Sequence, residues 1–228
     1  MLKISGESLA GNNEQGFDFD ILNDLSNNIK LLVEKGIKIS IVLGGGNFIR
    51  GAAFSNGVVD RVTSDYMGML GTVINSLALQ SNLEKIGIPS RVMTAISINR
   101  VAEPYIKNKA SRHLEKNRVV IFASGTGNPF FSTDTAAVLR ASEMKSDIIL
   151  KGTKVDGIYD KDPVSNNDAK KITQISYTDY LNKDIKVMDA TAISLAKDRS
   201  LSIIVFSILK SSNIVDIVNG EGSYSVIS

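Results

Sequence analysis

Apolar positions along the chain follow two rhythms. Short, mainly apolar runs at Ile37 to Leu43, Arg91 to Thr94, Val119 to Ala123, Ile148 to Leu150 and Ile203 to Phe206 read as buried strands. Between them, Ile21, Leu22, Leu25, Ile29, Leu32 and Val33 recur at three- and four-residue spacings and predict a helix that Gly36 stops. A second helix is predicted after Asp60, with Met67, Leu70, Ile74 and Leu77 along one side and Gly87-Ile88-Pro89 as its end. A third runs from Ala136 to Met144. Strands alternating with helices predict an α/β three-layer sandwich, with a largely parallel central sheet and helices on both faces. A first strand is expected before Ser5, although only four residues precede it, which is short for a central strand. The stretch from Asp160 to Asn182 breaks the rhythm with Asp162-Pro163, Asn166-Asn167-Asp168 and several lysines. It reads as an excursion of loops and short elements, so residues 1–228 are expected to form a single domain.

The strand-to-loop junctions hold the candidate chemistry. Leu2-Lys3-Ile4-Ser5-Gly6-Glu7-Ser8 opens the chain, and Ile41-Val42-Leu43-Gly44-Gly45-Gly46-Asn47-Phe48-Ile49-Arg50-Gly51 follows the second apolar run. Gly125-Thr126-Gly127-Asn128-Pro129-Phe130-Phe131-Ser132-Thr133-Asp134-Thr135 links a strand to a helix. Any one of these alone reads equally well as a plain glycine-rich turn. Together they suggest one crevice at the carboxyl ends of neighbouring strands, where open α/β sheets bind ligands. Backbone N–H groups beside Lys3 and Arg50 suit phosphate. No Gly-Lys dipeptide is present, so the Walker A pattern is absent, and so are the His-Arg-Asp and Asp-Phe-Gly signatures of protein kinases. Gly44-Gly45-Gly46-Asn47 fails the dinucleotide-binding spacing.

Composition removes other classes. A net charge of +2 with no dense basic run argues against a nucleic-acid partner. The absence of cysteine excludes disulfides, zinc-thiolate sites and a thiol nucleophile. The single histidine, His113, stands among Arg112, Glu115 and Lys116 and reads as part of a solvated helix face. No apolar run is long enough to span a bilayer, and polar Ser5, Gly6 and Glu7 do not read as a signal peptide, so no membrane association and a cytoplasmic location are expected.

Together these motifs resemble the amino acid kinase family, and within it the bacterial UMP kinases. The resemblance runs from Lys3-Ile4-Ser5-Gly6-Glu7 through Lys186-Val187-Met188-Asp189. Its most specific parts are Thr126 to Thr133 and Lys151-Gly152-Thr153-Lys154-Val155-Asp156-Gly157-Ile158-Tyr159. It implies ATP-dependent phosphorylation of UMP to UDP in pyrimidine nucleotide (CTP) synthesis, with Mg²⁺ travelling on ATP. It also implies an acceptor lobe in the N-terminal part and an ATP lobe in the C-terminal part. Lys3, Asp134 and Lys151 match catalytic positions, the carboxylate keeping both lysines oriented. Lys3, Ile4, Ser5, Gly6, Gly46 and Arg50 match positions lining the ATP phosphates; Thr153, Tyr159 and Asp162 match those holding adenine and ribose. Gly45, Asp65, Thr126, Gly127, Asn128, Pro129, Phe130, Phe131, Ser132 and Thr133 match UMP-contacting positions. Asp189, in a family-typical segment, would assist indirectly, and no protein metal site is implied. The family also implies a homohexamer, assembled through helices that include the one beginning near Asp60. GTP activation and UTP inhibition would follow, with the segment Gly11 to Asp18 on the responsive surface.

Each residue also has a plainer role open to it. The lysines could be solvated strand ends, Tyr159 could be packing, and Asp65 could be a first-turn acid favoured by the helix dipole. Asp134 could cap the following helix. Two other functions stay open: a family enzyme acting on a carboxylate or another phosphate acceptor, and a catalytically silent sensor of UTP or GTP.

Overall fold

In chain order the elements are β1 (Leu2–Ile4), α1 (Gly6–Ala10), α2 (Phe19–Glu34), β2 (Ser40–Leu43), α3 (Arg61–Lys85), β3 (Ser90–Thr94), β4 (Glu103–Pro104), α4 (Lys107–Glu115), β5 (Val119–Ala123) and α5 (Thr133–Met144). They continue with β6 (Ile149–Thr153), β7 (Ile158–Tyr159), β8 (Lys171–Ile172), β9 (Gln174–Ile175), α6 (Tyr177–Asn182), α7 (Ala190–Arg199), β10 (Ile203–Ser207), α8 (Asn213–Val218) and β11 (Tyr224–Ile227). The computed structural model describes residues 1–49, 59–209 and 213–228.

Among the described residues, nine strands form one sheet in the order β4-β3-β5-β2-β1-β6-β10-β11-β9. All neighbours pair in parallel except β10 and β11. β1 is only three residues long, yet it lies at the centre and is paired on both sides. Leu2 and Ile4 face Ile41 and Leu43 in β2, while Lys3 faces Lys151 in β6. Its shortness is tolerated because neighbours satisfy both edges. From β1 the chain first builds outward through β2, β3, β4 and β5, then returns to build the other side from β6. The order therefore reverses at β1 and β6, and a crevice is expected beyond their carboxyl ends. The residues from Asp160 to Asn182 supply β8, β9 and α6, and β7 with β8 forms a separate hairpin.

The strand interiors are buried throughout, as a sheet covered on both faces requires. Where the helices differ from the sequence pattern, side-chain chemistry explains it. α5 begins at Thr133, ahead of the apolar pattern, because the Ser132 hydroxyl accepts from the N–H groups of Asp134 and Thr135. Ser132 is therefore the cap, and Asp134 sits inside the first turn.

α3 departs further. Of the apolar positions along one side, Leu70 and Ile74 point outward with Val62 and Tyr66, whereas Leu77 packs against the core. The buried face carries Met69, Thr72, Val73, Asn75, Ser76, Leu79 and Leu83. Periodicity located the helix but left open which face is buried, because this helix buries small and polar residues along with apolar ones. His113 is also a correction. It is half-buried, donating from Nε2 to Glu103 Oε2 at 3.2 Å and accepting at Nδ1 from Arg118 at 3.0 Å, which assigns the neutral Nε2–H tautomer.

Candidate active site

Lys3 and Lys151 are neighbours across the β1–β6 pair, so their side chains leave the sheet on the same face. They lie within their strands and not at solvated ends, with side chains 5% and 7% exposed. Both ammonium groups reach one oxygen, Asp134 Oδ1, at 2.7 and 2.5 Å. Burial pushes the Asp134 carboxyl up, but the two ammonium groups outweigh this and leave it below its ordinary value. Burial, then the neighbouring Lys3 charge, pull Lys151 down to about 7. Two cations against one anion leave this buried cluster one negative charge short of neutrality when both lysines are protonated. A phosphate oxygen supplies the missing negative charge.

A cavity of about 170 Å³ is lined by Thr133, the neighbour of Asp134, and by Gly45, Gly46, Asp65, Thr126 and Phe131 together with Ile49, Ser64, Gly68, Met69, Thr72 and Gly125. Gly45 is required there by close approach. A Cβ on Gly45 would stand 2.5 Å from the Gly68 carbonyl oxygen. Asp65, in the second turn of α3, accepts from the Phe130 N–H at 2.7 Å and from Arg61 Nε at 2.9 Å, tying helix to loop. Thr72 Oγ1 accepts from the Ser124 N–H at 2.7 Å and so fixes where that loop leaves β5. Ser124 and Phe130 both have positive φ, 64° and 71°, a cost of about 1 kcal/mol or more each that the surrounding contacts must sustain.

A second cavity of about 460 Å³ is lined by Ser132, Asp134, Tyr180, Met188 and Asp189. It shares Asp184, Ile185 and Lys186 with a further cavity of about 410 Å³ that Tyr159, Asp160, Asp162 and Lys183 also line. Tyr159 donates to Asp156 Oδ1 at 2.6 Å, and Asp156 also accepts from Lys171 at 2.9 Å and Ser223 at 2.7 Å. Burial would lift the Asp156 carboxyl, but these hydrogen bonds hold it well below the usual carboxylate range. Asp189 caps α7 by accepting from the Ala192 N–H, and its carboxylate takes the hydroxyls of both Ser132 and Thr135.

The sequence-predicted residues therefore separate into groups. Gly45, Asp65, Thr126, Phe131 and Thr133 meet at the smaller cavity, and Gly46, expected with ATP, lines it too. Ser132 faces the other way, towards Asp189. Gly127, Asn128, Pro129 and Phe130 form the rest of that loop, with Asn128 N–H donating to Thr126 Oγ1. Ile4 is a core residue, and its carbonyl accepts from the Gly44 N–H. Ser5 caps α1, and Gly6 presses on Gly44 and Gly46. Tyr159 and Asp162 line the cavity of about 410 Å³, whereas the Thr153 hydroxyl is held by its own turn at Val155. Arg50 lies outside the described residues. Sequence reasoning missed Gly68 and Thr72. Their signal was the spacing Asp65, Gly68, Thr72, Asn75, a helical stripe of small and polar residues. A separate cavity of about 470 Å³, lined by residues such as Leu32, Ile37, Met144 and Ile217, contains none of the candidate residues.

Residues 1–207 match the Amino acid kinase family. A uridylate kinase of Wolbachia pipientis wMel is 54% identical over the whole chain, which covers 92% of that protein. Among solved structures, the UMP kinase of Ureaplasma parvum aligns with a TM-score of 0.95 at 39% identity, covering 100% of this chain and 97% of that one. The UMP kinase of Bacillus anthracis aligns with a TM-score of 0.95 at 41% identity, covering 100% and 94%.

Proposed function

The chain belongs to the amino acid kinase family, and on that premise we propose that it transfers the γ-phosphoryl group of ATP to UMP, giving ADP and UDP. One observation carries the reading. Asp134 of the buried Lys3–Asp134–Lys151 cluster lines one cavity, its neighbour Thr133 lines a second that bears a helix carboxylate, Asp65, and the first shares Asp184, Ile185 and Lys186 with a third that bears Tyr159 and Asp162. The similar proteins named for this activity cover the full chain.

In this reading, UMP occupies the smaller cavity. Asp65 accepts from its ribose hydroxyls, and the Thr126 to Thr133 loop holds its base and phosphate. ATP lies across the other two cavities, its base near Tyr159 and Asp162 and its phosphates reaching Lys3, Ser5, Gly6 and Lys151. The N-terminal part thus serves the acceptor and the C-terminal part serves ATP. A UMP phosphate oxygen, already ionised at neutral pH, attacks the γ-phosphorus, and the bond to the β–γ bridging oxygen breaks. No side chain needs to remove a proton. Lys3 and Lys151 stabilise the charge on the transferring group, and Asp134 keeps both ammonium groups aimed at it. Mg²⁺ bound with ATP would neutralise phosphate charge, and no residue of the chain is assigned to it.

The outward apolar stripe Val62, Tyr66, Leu70 and Ile74 on α3 supports assembly of several copies, with a homohexamer as the expected form. GTP activation through the Gly11 to Asp18 segment, and UTP inhibition, complete the reading, with UDP feeding CTP synthesis. Among the described residues, no helix is long and apolar enough to cross a membrane. The deciding experiment is a coupled ADP-release assay with ATP, Mg²⁺ and a panel of UMP, CMP, dTMP, AMP and acetylglutamate. Turnover confined to UMP is the expected result. Turnover with acetylglutamate instead, or nucleotide binding without turnover, would replace this reading by one of its two rivals.

A further inference from the structure

The buried face of α3 carries another polar residue behind the acceptor cavity. Asn75, fully buried and outside the cavity lining, donates from Nδ2 to the Gly44 carbonyl at 2.6 Å and to Asn47 Oδ1 at 2.7 Å. Asn47 is buried as well. It returns a bond from its own Nδ2 to Asn75 Oδ1 at 2.9 Å and donates its second proton to the Gly16 carbonyl at 2.8 Å. Gly16 N–H completes the contact by donating to the Asn47 carbonyl at 3.0 Å. Each amide nitrogen therefore places both of its protons on acceptors, which fits one orientation of each side chain.

Two amides buried face to face are costly unless every group is paired, and an apolar pair would fill the same space without that demand. What an apolar pair would not supply is a donor for the Gly44 carbonyl, at the point where β2 has ended. The amides also rest directly on the first junction. A Cβ on Gly6 would stand 2.5 Å from Asn47 Oδ1 and 2.6 Å from Gly46 N. One network thus joins the β1–α1 turn, the glycine run after β2, helix α3 and the segment ending at Gly16.

We propose that Asn75, with Asn47 as its partner, is a positioning residue for phosphoryl transfer. The amide pair fixes the Gly44 to Gly46 backbone relative to Lys3 and the acceptor cavity, and ties the Gly16 segment to that same backbone. This rests on the kinase reading above.

The test compares Asn75→Ala with Ser76→Ala. Ser76 is equally buried on α3, but its hydroxyl bonds only within the helix, to the Thr72 carbonyl. The wild type is assayed first with ATP, Mg²⁺ and UMP, and both variants are assayed at a temperature where melting curves show them folded. Asn75→Ala is expected to lower kcat about 10- to 100-fold, the scale of a misplaced catalytic backbone, with the KM values changing less. Ser76→Ala is expected to melt lower yet keep kcat within about twofold. Equal kcat in the two variants overturns the proposal. Should the wild type itself not turn over UMP, the kinase reading falls first. Hydrogen exchange on the wild type gives a reading that needs no variant to fold. The Gly16 and Phe48 amides should exchange as slowly as those of β2. Exchange as fast as that of the exposed residues Asn12 to Gln15 would show that the pair fixes nothing.

Discussion

In the proposed reading the acceptor side and the nucleotide side serve the same three charges, but they are built in opposite ways. The acceptor side is shaped by one long helix whose buried face is small and polar. Gly71 lies against the Gly45 backbone, Thr72 holds the Ser124 N–H, and Asp65 holds the Phe130 N–H. The nucleotide side is assembled from short pieces, the β7–β8 hairpin and the residues before α7, joined by side chains around Asp156. A wall carried on a helix packed against a sheet holds its geometry to fractions of an ångström, whereas a hairpin on exposed hydrogen bonds opens at low cost. On the proposed reading, acceptor discrimination would therefore belong to the rigid side, and nucleotide entry and release to the adaptable one.

Substitutions can break this division or sharpen it. The largest effect belongs to neither side. Lys3→Ala removes a buried cation from the shared cluster and should lower kcat about 100- to 1,000-fold, with UMP affinity changing far less. Steady-state kinetics with a direct UMP binding measurement checks this, and an unchanged kcat defeats the assignment. Next, Asp65→Ala should raise the KM for UMP about 10- to 100-fold and leave that for ATP nearly unchanged, because a carboxylate hydrogen-bonded to a neutral group is lost from one side alone. A parallel rise in both KM values would mean that the two sides are not separable.

Proton linkage offers a smaller and more specific probe. Lys151 has a folded value of about 7, so it loses its proton as pH rises through neutrality, and phosphate oxygens arriving beside it favour the charged form again. Nucleotide binding should therefore take up roughly half a proton at pH 7, with affinity falling by up to about tenfold per pH unit above that. Calorimetry in buffers of different ionisation enthalpy measures the uptake. Zero uptake across pH 6 to 8 would place Lys151 fully charged throughout. The smallest effect is expected on the nucleotide side. Tyr159→Phe removes the bond to Asp156 and should raise the KM for ATP about threefold while sparing UMP. A UMP-selective defect there would invert the comparison.

Much of this was legible before the structure. The strands at Val119 to Ala123 and Ile203 to Phe206 were read closely, because fully buried parallel strands are continuous apolar runs with sharp ends. α2 was equally clear, since its apolar positions recur at helical spacing and Gly36 ends it with φ of 80°. The orientation of α3 was not. Leu70 and Ile74 match a core stripe as well as they match a face left outward, and only the position of the glycine loops decides which side is buried. His113 likewise looks solvated among charged neighbours until β4 brings Glu103 to it.

By itself the sequence determined the fold class, the family, and the residue types available for phosphate chemistry, because periodicity and motif spacing are local properties of a chain. Tertiary structure alone decided that Lys3 and Lys151, far apart in sequence, stand side by side on one face and share a single carboxylate oxygen. It also decided that Ser132 caps a helix against Asp189 and that Asn75 serves the glycine loop from behind. The reason is physical: the direction and burial of a side chain follow from strand register and from which helix face meets the sheet. Both are set by pairing between segments that the linear pattern keeps apart.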